Sequence, residues 1–108
     1  MRSFSFTVKE KDYWIKYDFN AICDIEEVAG KPVQAIYNEQ SMGFNAIRML
    51  IWGGLKHADR GLTIQRTGII IKDFLDEGGK IGDLTEKASQ CLLYALHVET
   101  EESDGEGE

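Results

Sequence analysis

Histidine and cysteine, the residue types that most often carry chemistry, are few in this chain and far apart. Its only two histidines, His57 and His97, are accompanied by no pattern of further metal ligands. A zinc site normally needs three or four ligands with recognisable spacing, so the sequence predicts no metal site. We expect His57 in a solvated loop and His97 near a helix C-terminus, where the helix dipole stabilises a charged imidazole.

The two cysteines, Cys23 and Cys91, lie in separate apolar runs with helical periodicity, and neither belongs to a CxxC pair. This context predicts two reduced, buried thiols; a disulfide between them is an alternative that the spacing does not favour. A Cys–His nucleophile pair is a further alternative, although no local signature surrounds Cys23. The adjacent Glu26 and Glu27 cannot share a helix face, and the glycine pairs match no phosphate-binding motif. We therefore predict no catalytic residue, no cofactor and no enzymatic activity.

Acidic residues are concentrated at the end of the chain, which has a net charge of -7. Residues 99–108 contain six of the 19 acids and no lysine or arginine, which leaves 13 acids against 12 basic residues elsewhere. Nucleic-acid binding needs clustered basic side chains, so we predict no nucleic-acid partner. The tail has no apolar anchors and is predicted to be disordered. It either keeps the protein soluble or steers it towards a basic partner.

The elements that would position a site begin with a β-hairpin. Residues 3–8 and 13–17 alternate in character, which predicts two strands joined by a loop of about four residues. From Asp18 the apolar residues recur at helical spacing, with Asp18 or Asn20 as the N-cap and Gly30 as the stop. A short helical turn is predicted next, over residues 33–38.

Three longer helices are predicted to follow. Ser41 is the expected N-cap of the first and Thr63 that of the second, while Asp83 and Glu86 fit a capping box at the start of the third. The third helix has the clearest amphipathic pattern, with the following residues on its inward face: Leu84, Ala88, Cys91, Leu92, Ala95 and Leu96.

The predicted fold class is α+β, mostly α: an N-terminal β-hairpin, three to four packed helices and a disordered acidic C-terminal tail. The boundaries are 1–98 for a single domain and 99–108 for the tail. No apolar run is long enough to span a membrane, and residues 1–8 lack the apolar core of a signal peptide. We therefore expect a cytoplasmic protein with no membrane partner.

The apolar run at residues 47–55 (IRMLIWGGL) is the most informative segment. A helix that is apolar on nearly all sides is either central in a core or covered by a partner. Because tryptophan and methionine are frequent at binding surfaces, Met49, Trp52 and Leu55 are candidate partner-binding residues. Burial of the same side chains in the core is the alternative. Gly53 and Gly54 would permit the close approach of a neighbouring backbone.

Two segments carry a family resemblance. Residues 17–31 (YDFNAICDIEEVAGK) follow the hairpin with an aromatic-Asn-Ala-hydrophobic-Cys motif, and residues 41–59 form a Ser-capped helix ending in Leu-Ile-Trp-Gly-Gly-Leu. These segments resemble the small tail assembly chaperones of long-tailed bacteriophages and prophages, over residues 3–98. Gly53 departs from the alanine that is more usual there.

The resemblance implies a non-enzymatic protein that binds and solubilises the tape measure protein during tail assembly and is absent from the mature virion. It also implies self-association, recruitment of the major tail tube protein, action in the host (bacterial) cytoplasm, and a longer form made by ribosomal frameshifting. Two alternatives are a phage-encoded regulatory or adaptor protein that binds a host protein through the acidic tail, and a small enzyme.

Overall fold

The computed structural model describes residues 3–37 and 43–107. In this part of the chain an antiparallel hairpin precedes five helices: β1 Ser3–Val8, β2 Lys11–Lys16, α1 Phe19–Ala29, α2 Val33–Tyr37, α3 Phe44–Leu55, α4 Ile64–Asp76 and α5 Ile81–Gly107. Four of the helices are long, and α2 has only five residues. The predicted α+β fold, mostly α with an N-terminal hairpin, is confirmed.

The hairpin turn is shorter than the sequence predicts. The strands pair continuously up to a two-residue turn, in which Lys9 and Glu10 have φ angles of 50° and 66°. Short hairpins favour positive φ because it matches the strand twist, but residues other than glycine adopt it at a cost. Contacts with the end of α4 hold the turn in place. The Lys9 backbone N–H donates to Glu77 Oε2 at 2.8 Å, and Lys9 Nζ lies 3.4 Å from Asp73 Oδ2.

Side-chain caps begin α1 and α4 where the sequence predicts them. Asp18 Oδ1 accepts from the Ala21 backbone N–H at 2.8 Å, and Gly30 ends α1 with a φ of 71°. Thr63 Oγ1 accepts from the Arg66 backbone N–H at 3.0 Å. Each cap satisfies a first-turn N–H group that has no partner within the helix.

The remaining predicted boundaries have different outcomes. Ser41, the expected cap of α3, and Asn38, the expected end of α2, lie outside the described residues. Helix α3 begins at Phe44, and its N-cap position is Gly43 rather than Ser41. The predicted capping box of Asp83 and Glu86 is wrong, because α5 begins earlier, at Ile81. Asp83 instead lies within the first turn, where its negative charge still complements the helix dipole.

Helix α3 is the central element of the fold, since it packs against α1, α4, α5 and β2. Side chains that are almost completely buried come from every element except β1: Ile15, Tyr17, Ile25, Val33, Ile36, Leu50, Ile51, Thr67, Leu84, Cys91 and Leu92. The Tyr17 hydroxyl donates to the Leu50 carbonyl at 2.7 Å. Burial, together with the nearby Cys91 thiol, raises the pKa of Tyr17 well above its usual range.

The last helix is longer than predicted. Its inward face packs on the core up to Ala95 and Leu96, as the sequence predicts. The backbone then stays helical over residues 99–107, where the sequence predicts a disordered tail. A helix that is already nucleated gains one backbone hydrogen bond per added residue, and glutamate favours the helical state. These two effects favour continuation over residues 99–102, whereas Asp104, Gly105 and Gly107 have low helix propensity.

Candidate functional site

The residues that the sequence nominates for partner binding belong mainly to the core. Trp52 and Leu55 are only 7% and 4% exposed, and Met49 is half-buried against the same core. The prediction is therefore corrected for Trp52 and Leu55, whose side chains this chain itself encloses. The physical reason is the central position of α3, which leaves its C-terminal half surrounded by other elements. The alternative that the sequence left open, burial in the core, describes both residues.

The polar contacts of Trp52 connect neighbouring parts of the fold. Its Nε1–H donates to the buried Leu62 carbonyl at 2.9 Å, which fastens the connection between α3 and α4 to α3. On the same ring, Lys56 Nζ lies 4.6 Å from the centroid. Lys56 Nζ also lies 3.1 Å from Asp24 Oδ2 on α1. Trp52 thus joins α3, the following loop and α1.

Two glycines allow α3 to occupy the centre of the molecule. A Cβ at Gly53 would collide with the Ile25 side chain of α1. A Cβ at Gly54 would lie 2.7 Å from Ile15 Cγ2 and 3.2 Å from Tyr17 Cζ. The close approach predicted for this pair is present: side chains are the nearest atoms at both glycines, and at Gly53 the Ala21 backbone oxygen of α1 also lies 3.7 Å from the Cβ position.

The structure brings Cys23 and His57 to one polar concavity beside α1, although they are distant in sequence. Cys23 is exposed, which corrects the prediction of a buried thiol. Its Sγ makes no hydrogen bond within the described residues, while His57 Nε2 lies 2.9 Å from the Trp14 carbonyl oxygen. A thiol nucleophile needs a base within hydrogen-bond reach. The concavity therefore gathers the residue types of a Cys–His pair without forming the activating contact.

The other chemistry-bearing residues lie elsewhere. Cys91 is buried as predicted and donates to the Ile15 carbonyl at 3.4 Å, and both cysteines are free thiols, so the disulfide alternative is wrong. His97 lies on α5, which continues to Gly107, so the predicted position near a helix C-terminus is wrong; its side chain is outside the described part. No cluster of three or more metal-ligating side chains occurs among the described residues. Across 3–37 and 43–107, none of the helices combines the length and apolarity required to cross a bilayer.

A groove between α3 and α4 gathers apolar residues that the sequence did not nominate. We call it the α3–α4 groove; it has a volume of about 170 Å³ and the following lining: Phe44, Ile47, Arg48, Gly68, Ile71, Leu75 and Ile81. Phe44 is 78% exposed, the highest value for a large apolar residue among the described side chains, and Leu75 is 39% exposed. Exposed apolar surface that is clustered in this way marks interaction sites more often than scattered apolar residues do.

Among the described residues that line this groove, Arg48 is the only charged one. Its Nη2 donates to Asn45 Oδ1 at 3.1 Å, but its buried Nε has no acceptor among the described residues. The side chain crosses α4 at Gly68, where a Cβ would lie 3.3 Å from Arg48 Cδ. The absence of a side chain at Gly68 thus gives the guanidinium room beside the groove.

Helical spacing offers a signal for the groove that the sequence reading missed. Gly68, Ile71 and Leu75 recur at intervals of three and four on α4, and Phe44 and Ile47 are three residues apart on α3. This spacing places each set on one helix face. Each of these two faces has fewer apolar residues than the run at residues 47–55. The sequence therefore predicts the partner-binding surface in that run.

A second concavity, of about 290 Å³, lies beside β2 and is of mixed character. Trp14, which is 51% exposed, and Leu62 contribute apolar surface, while Lys11, Asp12 and Arg66 add charges of both signs. Such a site suits a ligand with polar groups. The α3–α4 groove, with one charge in its lining, is the better match for an apolar partner.

Comparisons of this chain with protein-family models, with curated proteins and with solved structures found no match. The candidate site therefore rests on its own geometry.

Proposed function

We propose that this protein is a phage or prophage tail assembly chaperone, which binds and solubilises the tape measure protein in the bacterial cytoplasm. The observation that carries the proposal is the α3–α4 groove, an apolar surface with Phe44 at its rim on a chain of net charge -7. The identity of the partner comes from the resemblance of residues 17–31 and 41–59 to that family.

The fold gives the resembling motifs a structural role that fits this proposal. Ile22 and Ile25 of α1 and Trp52 of α3 are buried, and these two helices pack together. In this interpretation the motifs specify the scaffold and leave the binding surface to other residues. Phe44 lies within the second motif segment and yet is largely exposed, so it contributes little to the core and is available to a partner.

The physical demands on such a chaperone match these properties. A tape measure protein exposes apolar helix faces, which aggregate unless they are covered. A strongly charged exterior keeps the coated complex in solution. Weak binding by each copy suffices, because many sites along one chain add their contributions, and weak contacts permit release when the tail tube forms. Self-association and recruitment of the major tail tube protein are parts of the same proposal.

The test is co-expression with the tape measure protein of the phage or prophage that encodes this chain, followed by pull-down and light scattering. We expect a soluble complex with many copies of the chaperone per tape measure. A tape measure that stays insoluble, with this protein eluting alone as a monomer, would overturn the proposal.

Two phenylalanines provide a matched control for the site. Phe44 and Phe19 are the first residues of α3 and α1 and are 78% and 64% exposed. We expect Phe44→Ser to lose the tape measure from the soluble fraction and Phe19→Ser to retain it. Truncation after Val98 addresses the adaptor alternative: a chaperone keeps most of its binding, whereas a protein acting through its acidic tail loses it.

A further inference from the structure

Arg48 occupies an unusual position for a charged residue. It is half-buried in the lining of an otherwise apolar groove, and its only polar contact among the described residues is the neutral amide of Asn45. Its Nε is out of contact with water and has no acceptor in this part of the chain. A buried donor without an acceptor carries the cost of its lost hydration. The cost falls when an acceptor arrives, and most when that acceptor is negatively charged.

The remainder of the groove accepts one large apolar side chain. Its volume of about 170 Å³ is close to that of a protein cavity, about 150 Å³, that accommodates benzene. The walls are the helices α3 and α4, and Ile81 of α5 also belongs to the lining. Surface ridges of a further helix pack readily into a groove between two helices.

From these two observations we propose that the α3–α4 groove binds an amphipathic helix that carries a carboxylate one turn from its apolar anchor, and that Arg48 selects this carboxylate. The apolar anchor lies in the groove next to Phe44, and the carboxylate accepts from the Arg48 guanidinium. This proposal rests on the chaperone function in one respect, which is that the natural helix belongs to the tape measure protein.

Charge complementarity favours this occupant over a helix with a purely apolar face. A purely apolar face would cover Arg48 and leave its guanidinium further from water, still without an anionic partner. A lysine near Arg48 would add repulsion between like charges. An aspartate or glutamate three or four residues from the anchor lies on the same helix face, within reach of both the groove and Arg48.

Designed peptides test the proposal without the tape measure protein. Three helical peptides of about 18 residues, long enough to be stable, share a leucine anchor and carry Glu, Gln or Lys four residues after it. Calorimetric titration of the full chain measures their binding. We expect the Glu peptide to bind about tenfold more tightly than the Gln peptide, as a hydrogen bond between charged groups implies, and the Lys peptide to bind most weakly.

Variants of the full chain assign the preference to particular residues. Arg48→Met keeps the length of the side chain and removes the charge, so the Glu and Gln peptides should then bind equally. Phe44→Ser should weaken all three peptides, and Phe19→Ser should weaken none. Raising the ionic strength should reduce Glu-peptide binding to the unmodified chain and leave Arg48→Met little changed.

Four results would overturn the proposal: no binding of any peptide, no preference for the Glu peptide, the same preference in Arg48→Met, or a groove already occupied by a second copy. In the last case, Phe44→Ser would change the oligomeric state of the chain alone. Failure here is distinguishable from failure of the chaperone function. If the tape measure protein is solubilised but Arg48→Met binds the peptides as the unmodified chain does, only the role of Arg48 is wrong. If the Glu peptide is preferred but the tape measure protein stays insoluble, only the chaperone function is wrong.

Discussion

The two halves of α3 differ in sequence and in surroundings: residues 50–55 include no polar side chain, whereas the N-terminal half includes Asn45 and Arg48. Residues 50–55 are buried without exception, whereas Phe44 and Asn45 are exposed and Arg48 and Met49 are half-buried. Neighbours on several sides enclose the C-terminal half, while the N-terminal half opens onto the α3–α4 groove. In α3 the dense apolar run is therefore the part of the helix that the chain's own elements bury. A binding surface lies where a shorter apolar stripe lacks a neighbour.

The largest expected effect is a difference in unfolding free energy between variants in the two halves of α3. Trp52→Ala removes a 7%-exposed ring and its hydrogen bond to the Leu62 carbonyl, and it should lower the free energy of unfolding by about 3–5 kcal/mol. Phe44→Ser, at an exposed position, should change it by no more than about 0.5 kcal/mol. Chemical denaturation measures both values. Similar losses in the two variants would contradict the division of α3 into a core half and a surface half.

Glycine replacements sharpen the comparison. Gly53→Ala forces a methyl group against Ile25 in the core, so it should destabilise the fold by about 1–3 kcal/mol despite the better helix propensity of alanine. Gly68→Ala meets the flexible stem of Arg48 at 3.3 Å, which can move. It should therefore be neutral or stabilise the fold by up to about 1 kcal/mol.

Thermal unfolding of the two alanine variants checks this pair. A melting temperature that rises in Gly53→Ala would show that the α1–α3 contact is looser than the structure describes. A large fall in Gly68→Ala would show that Arg48 cannot move, and would make the groove a more rigid site than proposed.

The sequence predicts the architecture well because its signals are local. The caps Asp18 and Thr63 and the stop at Gly30 are short-range features: Asp18 begins α1, Gly30 ends it and Thr63 begins α4, as predicted. The site depends on tertiary packing, which the pattern along one helix does not contain. Residues 47–55 are compatible with either a core or an interface. Only the positions of the neighbouring elements assign Trp52 to the core and Phe44 to the surface.

Alkaline titration provides a third test, which concerns the contacts of the buried C-terminal half of α3. Tyr17 donates to the Leu50 carbonyl, and burial raises its pKa well above the usual value of about 10. Because the folded pKa is raised, its contribution to stability is complete below about pH 10 and is lost above it, where the unfolded chain ionises more readily. The free energy of unfolding should then fall by about 1.4 kcal/mol per pH unit from this residue alone.

Tyr17→Phe isolates that contribution from the other groups that titrate at high pH. It removes the ionisable hydroxyl and keeps the ring, so the difference in unfolding free energy between the two proteins should shrink as the pH rises above about 10. Parallel curves for the two proteins would mean that Tyr17 ionises without unfolding, and that this part of the core is open to water.

The smallest expected effect belongs to the groove. Arg48→Met removes a buried donor that has no acceptor among the described residues and retains the apolar stem, so it should stabilise the free protein by about 1 kcal/mol. Arg66→Met, at an exposed position on α4, serves as the control and should stay within about 0.5 kcal/mol of the unmodified chain. Denaturation of the purified chain measures both. A less stable Arg48→Met would indicate that the guanidinium already contributes to the fold, whereas a more stable one indicates a charge kept in the groove at a cost to stability, as expected of a residue retained for binding.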